Sequence, residues 1–88
     1  MQSITVKAVG PVSSLLETSE TVVTCDSPLP VSVILDELRI RYPLFSKFLG
    51  QLDVEDNLMI RCGGREMQFD SMVQPGEELL LLTPISGG

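Results

Sequence analysis

The chain contains no histidine and only two cysteines, Cys25 and Cys62, which are not in a CxxC spacing. Histidine is the side chain best suited to acid–base work and metal binding near neutral pH. Without it, no Ser-His or Cys-His nucleophile pair can be assembled. Two cysteines alone also fail to complete a tetrahedral zinc site or the thiolate set of an ordinary iron–sulfur cluster. Cys25 and Cys62 read as buried strand residues, with redox or disulfide use as the alternative.

Positive charge is scarce too. Six Lys and Arg face twelve Asp and Glu, for a net charge of −6. Phosphate recognition needs a basic surface, so nucleic acid is not an expected ligand. The surplus acid aids solubility, and it complements a basic protein partner mainly by speeding association. Long apolar runs are missing: nothing approaches the ~20 residues of a bilayer span. The longest run, Leu79 to Leu82, is strand-sized, and the start at Met1 to Ile4 is not basic. The expectation is a cytoplasmic protein with no membrane partner and no signal peptide.

What is present fits one small domain over 1–83, followed by a flexible C-terminal tail over 84–88. The chain has 88 residues and 43% hydrophobic content, and a domain of this size buries roughly 60–65% of its unfolded surface. Gln2 to Val9 alternates in polarity and reads as a half-buried strand. Ser19 to Cys25 is rich in β-branched residues and reads as a second strand. Val12 to Thr18 is too short for a parallel crossover, so it is expected to be a plain connection within an antiparallel hairpin. Asp26 to Pro30 reads as a loop. Val31, Ile34, Leu35 and Leu38 then recur at helical spacing up to Tyr42, with Asp36, Glu37, Arg39 and Arg41 mostly outward, and Pro43 ends that helix.

Leu44 to Leu49 is a candidate short second helix. The acidic stretch Asp53 to Asp56 reads as a surface loop, and Asn57 to Cys62 as a strand. Gly63-Gly64 makes a tight hairpin turn into a short strand, Arg65 to Phe69. Gln74-Pro75-Gly76-Glu77 is a turn, and Leu79 to Thr83 is the last strand. Its four consecutive leucines imply a central strand covered on both faces. The first and last strands are expected to be parallel neighbours. The whole is an α+β arrangement, a mixed four- to five-stranded sheet grasping one main helix.

No catalytic constellation or repeat appears. Gly63-Gly64 lacks the lysine and following helix of a phosphate loop. Arg61 and Arg65 flank that turn and are candidate partner contacts. The ending Thr83-Pro84-Ile85-Ser86-Gly87-Gly88 stands apart. Pro84 stiffens the exit from the sheet, Ile85 suits a partner groove, and Ser86 narrows toward Gly87 and Gly88. Glycine has no Cβ, so such an end can pass close to another backbone and thread a narrow tunnel in an enzyme that activates its carboxylate.

The segment from Asn57 to Gly88, with its hairpin, Phe69-Asp70, Pro75-Gly76-Glu77-Glu78-Leu79 and the final Gly87-Gly88, resembles the ubiquitin-like β-grasp sulfur carriers. It is most similar to the small subunit of molybdopterin synthase. The helix pattern ending at Tyr42-Pro43 fits as well. The chain departs from the family in lacking aromatic residues in its first strand, in reading Arg61-Cys62-Gly63 at the hairpin, and in having Thr83 where a second proline is usual. The resemblance implies a protein with no catalytic set and no bound cofactor of its own. A partner adenylyltransferase resembling ubiquitin-activating enzymes uses ATP to activate Gly88, which then becomes a thiocarboxylate. Pro84, Ile85, Ser86, Gly87, Phe69, Arg61 and Arg65 are the implied partner contacts. The implied sulfur acceptor is the large subunit of molybdopterin synthase or another acceptor enzyme. Thiamine, cysteine and tungsten-cofactor pathways stay open, as does a protein modifier or interaction module.

Overall fold

The computed structural model describes residues 2–51 and 58–83. The acidic stretch at 53–56, the first residue of the strand expected from Asn57 and the whole tail over 84–88 lie outside the described residues.

Alternation builds the first strand as expected. In β1 (Ser3–Ala8) Ile4, Val6 and Ala8 are buried, and the residues between them are partly exposed. It pairs antiparallel with β2 (Glu20–Thr24), Ile4 lying opposite Val23. The connection between them is not plain chain. It holds a six-residue helix, α1 (Pro11–Leu16). Gly10 enters at φ 62° and ψ −142°, a conformation open essentially to glycine alone. Pro11 follows with its φ already helical. Val12 and Leu16, one turn apart, are fully buried and plug one end of the core. The sequence hid this helix because Gly-Pro reads as a breaker and six residues carry almost no periodic signal.

The expected loop before the main helix also contains structure. β3 (Leu29–Pro30) pairs with β6 (Met72–Val73) as a separate two-stranded sheet. This ladder brings the loop after β5 (Arg65–Glu66) against the start of α2 (Val31–Arg41). There the Val31 N–H donates to the Ser71 carbonyl and the Ser32 N–H to the Phe69 carbonyl, both at 2.9 Å. These bonds satisfy two of the orphan donors of the first turn, which no side chain caps. Val31, Ile34, Leu35 and Leu38 bury the inner face of α2 as expected. Tyr42, the residue before a proline, turns extended. Pro43 both ends α2 and opens α3 (Pro43–Gln51), which buries Phe45.

Among the described residues the main sheet has five strands in the order β2-β1-β7-β4-β5. β4 (Met59–Cys62) and β5 are joined at Gly63 and Gly64, whose φ values of 60° and 82° make the expected two-residue hairpin turn. β5 is shorter than the strand expected to reach Phe69. The turn at Gln74 to Glu77 places Gly76 at φ 91° after Pro75 and closes with a 3.1 Å bond from the Glu77 N–H to the Gln74 carbonyl. β7 (Glu78–Leu82) is central, parallel to β1 and antiparallel to β4, as expected for the first and last strands. Among the described residues no helix is long and apolar enough to cross a membrane.

One expectation about β7 fails. Leu79 and Leu81 are fully buried, but Leu80 and Leu82 are only partly so. The buried residues of α1, α2 and α3 all join a single core cluster with Leu79 and Leu81. Among the described residues the other sheet face has no helical cover. A test of this division is the pair Leu81→Ala and Leu80→Ala. The first should lose about 2–5 kcal/mol of stability in urea titration, and the second about 1 kcal/mol or less. Equal losses would show that both faces are packed.

Candidate functional site

Strand pairing fixes which side chains share the open face. Three rows cross it. Thr5 lies level with Glu78, Lys7 lies level with Leu80, and Leu80 lies opposite Arg61. The third row holds Leu82 opposite Met59. Val9 reaches that same level, its N–H donating to the Leu81 carbonyl at 3.1 Å. Val9, Leu82 and Met59 therefore form an apolar row across the strands at the end where the chain leaves β7. Val9 is 46% exposed; Val22 of β2, 43% exposed, pairs with Thr5 and so lies in the first row, away from this apolar one. Sequence reasoning missed these residues as a surface. The available signal was the leucine run itself, since a strand apolar on both faces needs either a second cover or a partner.

Charge frames this patch. Lys7 Nζ lies 3.3 Å from Glu78 and 3.9 Å from Glu20, tying β2, β1 and β7 together on the open face. These groups are half exposed, so their attraction is screened and modest. Arg61 extends over the hairpin, Nη2 donating to the Gly64 carbonyl at 2.8 Å. Among the described residues it has no carboxylate partner within ion-pair distance, although Glu66 is its cross-strand neighbour.

The expected contact residues do not form one cluster. Arg61 is on the open face. Arg65 lies opposite Cys62 in the ladder and so stands on the helix side of the sheet rim. Phe69 packs partly against the core and lines a shallow groove with Ser32, Leu35 and Leu49. Phe69 also works through its backbone, as the acceptor for the start of α2. Pro84, Ile85, Ser86, Gly87 and Gly88 fall outside the described residues.

Cys25 and Cys62 are both buried and free; Cys62 ends β4 as expected, while Cys25 falls just past the end of β2. Burial pushes the Cys62 thiol above its ordinary value. The Glu77 carboxylate adds to the rise by repulsion and hydrogen bonding, and Arg65 opposes it. Among the described residues no group of three metal-ligating side chains comes together.

No protein-family model matches this chain, and no curated protein matches it in sequence. Solved structures match over its full length. SAMP1 from Haloferax volcanii superposes with a TM-score of 0.82 at 23% identity, covering 98% of this chain and 99% of that one. A putative molybdopterin converting factor, subunit 1, from Pyrococcus furiosus gives a TM-score of 0.77 at 18% identity, covering 97% and 100%. Small archaeal modifier protein 1 (SAMP1) from Methanosarcina acetivorans gives 0.77 at 19% identity, covering 100% and 98%. The fold is the ubiquitin-like β-grasp. At these identities the likeness is one of fold.

The environment of Cys62 yields a prediction. The folded state holds the thiol proton more tightly than the unfolded chain does. Stability should therefore fall as pH rises from about 8.5 toward the raised folded value. Below that window the group contributes no pH dependence. Cys62→Ala should flatten this part of the curve in urea titrations across alkaline pH. An unchanged slope would show that the buried thiol is not its source.

Proposed function

We propose that the protein is a ubiquitin-like sulfur carrier whose Gly88 carboxylate is the group that is activated. The observation that carries this reading is the direction of β7. Its parallel pairing with β1 sends the chain out of the sheet centre beside the Val9–Leu82–Met59 row, and Pro84-Ile85-Ser86-Gly87-Gly88 follows. The full-length likeness to a molybdopterin converting factor subunit supports it.

The open face suits an adenylyltransferase resembling ubiquitin-activating enzymes. Apolar docking near the exit would leave the following residues to enter the partner's active site. The Gly88 carboxylate attacks the α-phosphorus of ATP, forming an acyl-adenylate and releasing pyrophosphate. A hydrosulfide-level donor then attacks the carbonyl carbon, and AMP leaves with the C–O bonding pair. The product is a thiocarboxylate at Gly88. Its sulfur passes to an acceptor, for which we favour the large subunit of molybdopterin synthase making the dithiolene of molybdopterin. Thiamine, cysteine or tungsten-cofactor synthesis are the related destinations. The carrier contributes presentation and no acid or base, which suits a chain without histidine. The matching structures include small archaeal modifier proteins, and this favours a second reading in which Gly88 is joined to a lysine amine of another protein.

Incubation with the activating partner, ATP and sulfide should raise the intact mass by the difference between a sulfur and an oxygen atom. Deleting Gly87 and Gly88 should abolish that product and leave thermal unfolding nearly unchanged. Isopeptide adducts without any thiocarboxylate would favour the modifier reading instead.

Two substitutions separate threading from binding. Gly87→Val adds a branched Cβ to a residue beyond the last strand. It should suppress sulfur transfer far more than partner affinity. Ile85→Ala should mainly weaken binding, by about 1–3 kcal/mol if that side chain is fully buried in the complex. Single-turnover transfer and titration calorimetry provide the two readouts. Unimpaired transfer by Gly87→Val would sink the narrow-tunnel account.

A further inference from the structure

Among the described residues the edges of the main sheet are β2 and β5. β5 has two residues, both charged, while β2 has five. An edge of that length is a template for pairing with another chain. The ladder shows which groups face outward. The Ala8 N–H donates to the Ser19 carbonyl at 2.9 Å, and the Cys25 N–H donates to the Gln2 carbonyl at 3.0 Å. Odd-numbered residues of this segment therefore turn their backbone groups toward β1. Those of Glu20, Val22 and Thr24 turn to the outer edge.

Side chains already occupy much of that edge. The Thr18 hydroxyl donates to the Glu20 carbonyl at 2.9 Å and accepts from the Glu20 N–H at 3.3 Å. Arg41 Nη1, from the end of α2, donates to the Val22 carbonyl at 2.6 Å. The guanidinium is set in place by Glu37 one turn earlier, whose Oε1 accepts from Nε at 3.3 Å and from Nη2 at 3.1 Å. Beside it the Tyr42 hydroxyl donates to Thr21 Oγ1 at 2.9 Å. The end of α2 is thus stitched across the free side of β2.

We propose that Arg41, positioned by Glu37, acts with Thr18 as a guard that keeps the β2 edge from pairing with β2 of a second copy of this chain. The unguarded edge is well suited to that partner. Antiparallel pairing centred on Val22 sets valine against valine and Glu20 against threonine, with no like charges opposed. It closes on a two-fold axis and joins two sheets into one. The guard instead holds β2 to its own domain and leaves the open face and the β7 exit as the surfaces for partners.

The test compares wild type with the Arg41→Ala/Thr18→Val double variant by sedimentation velocity over a concentration series, with far-UV circular dichroism to verify folding. The double variant should self-associate about ten-fold or more tightly than wild type, and the Val22 and Thr24 amides should gain hydrogen-exchange protection at high concentration. Adding Thr24→Pro removes an outward N–H without touching the bonds to β1, so it should return association to the wild-type level. If the double variant unfolds, Arg41→Ala alone decides, with a smaller gain and the same reversal. A folded variant that associates no more than wild type overturns the proposal. So does association that Thr24→Pro leaves intact, since the contact would then lie elsewhere.

Discussion

The parallel pairing of β1 with β7 joins the two ends of the described chain in the middle of the sheet. Both hairpins hang from it, β2 on one side and β4 with β5 on the other. Its buried rows, Val6 beside Leu79 and Ala8 beside Leu81, form the floor on which α2 and α3 pack. Loop-closure entropy makes such a non-local pair slow to form. Once formed, it fixes the register of the sheet, because a one-residue slip would turn Leu79 and Leu81 out to the open face.

That register divides labour between the faces. The helix side takes Ile4, Val6, Leu79, Leu81 and Ile60 into the core. The open side keeps Leu80, Leu82 and Met59 half exposed beside the exposed Val9, an arrangement that suits docking better than internal packing. The exit of β7 is level with this apolar row.

Small contacts keep this geometry unambiguous. Carbonyls of Phe69 and Ser71 cap α2 where no side chain does. The β3–β6 ladder holds the capping loop against the helix. At the other end of α2, Arg41 and Tyr42 bind the outer strand. A helix fastened at both ends to different sheet segments cannot shift without breaking buried packing and these bonds together, and packing of that density resists small displacements.

Elements whose signals are local can be read directly from the residues. The period-two pattern of β1, the helical spacing of Val31, Ile34, Leu35 and Leu38, the Gly63-Gly64 hairpin and the Pro75-Gly76 turn each follow from side-chain periodicity or backbone preference over a few residues. The β-branched run of β2 was legible for the same reason, and the leucine run of β7 pointed to its central place, whereas nothing local signalled that β4 would lie on its other side. Tertiary structure decided the rest. Helix α1 exists because Val12 and Leu16 find an end of the core to fill, and six residues cannot signal that alone. The two-residue strands β3 and β6 exist only through each other. Leu80 and Leu82 looked buried because hydrophobicity reports a need for cover without saying whether the cover is the protein's own helix or a partner. Phe69 was visible as an aromatic residue, but the capping use of its carbonyl was not, since a backbone acceptor has no sequence signature. The distribution of Arg61, Arg65 and Phe69 over different parts of the surface likewise came from strand register, which is set by contacts between residues far apart in the chain.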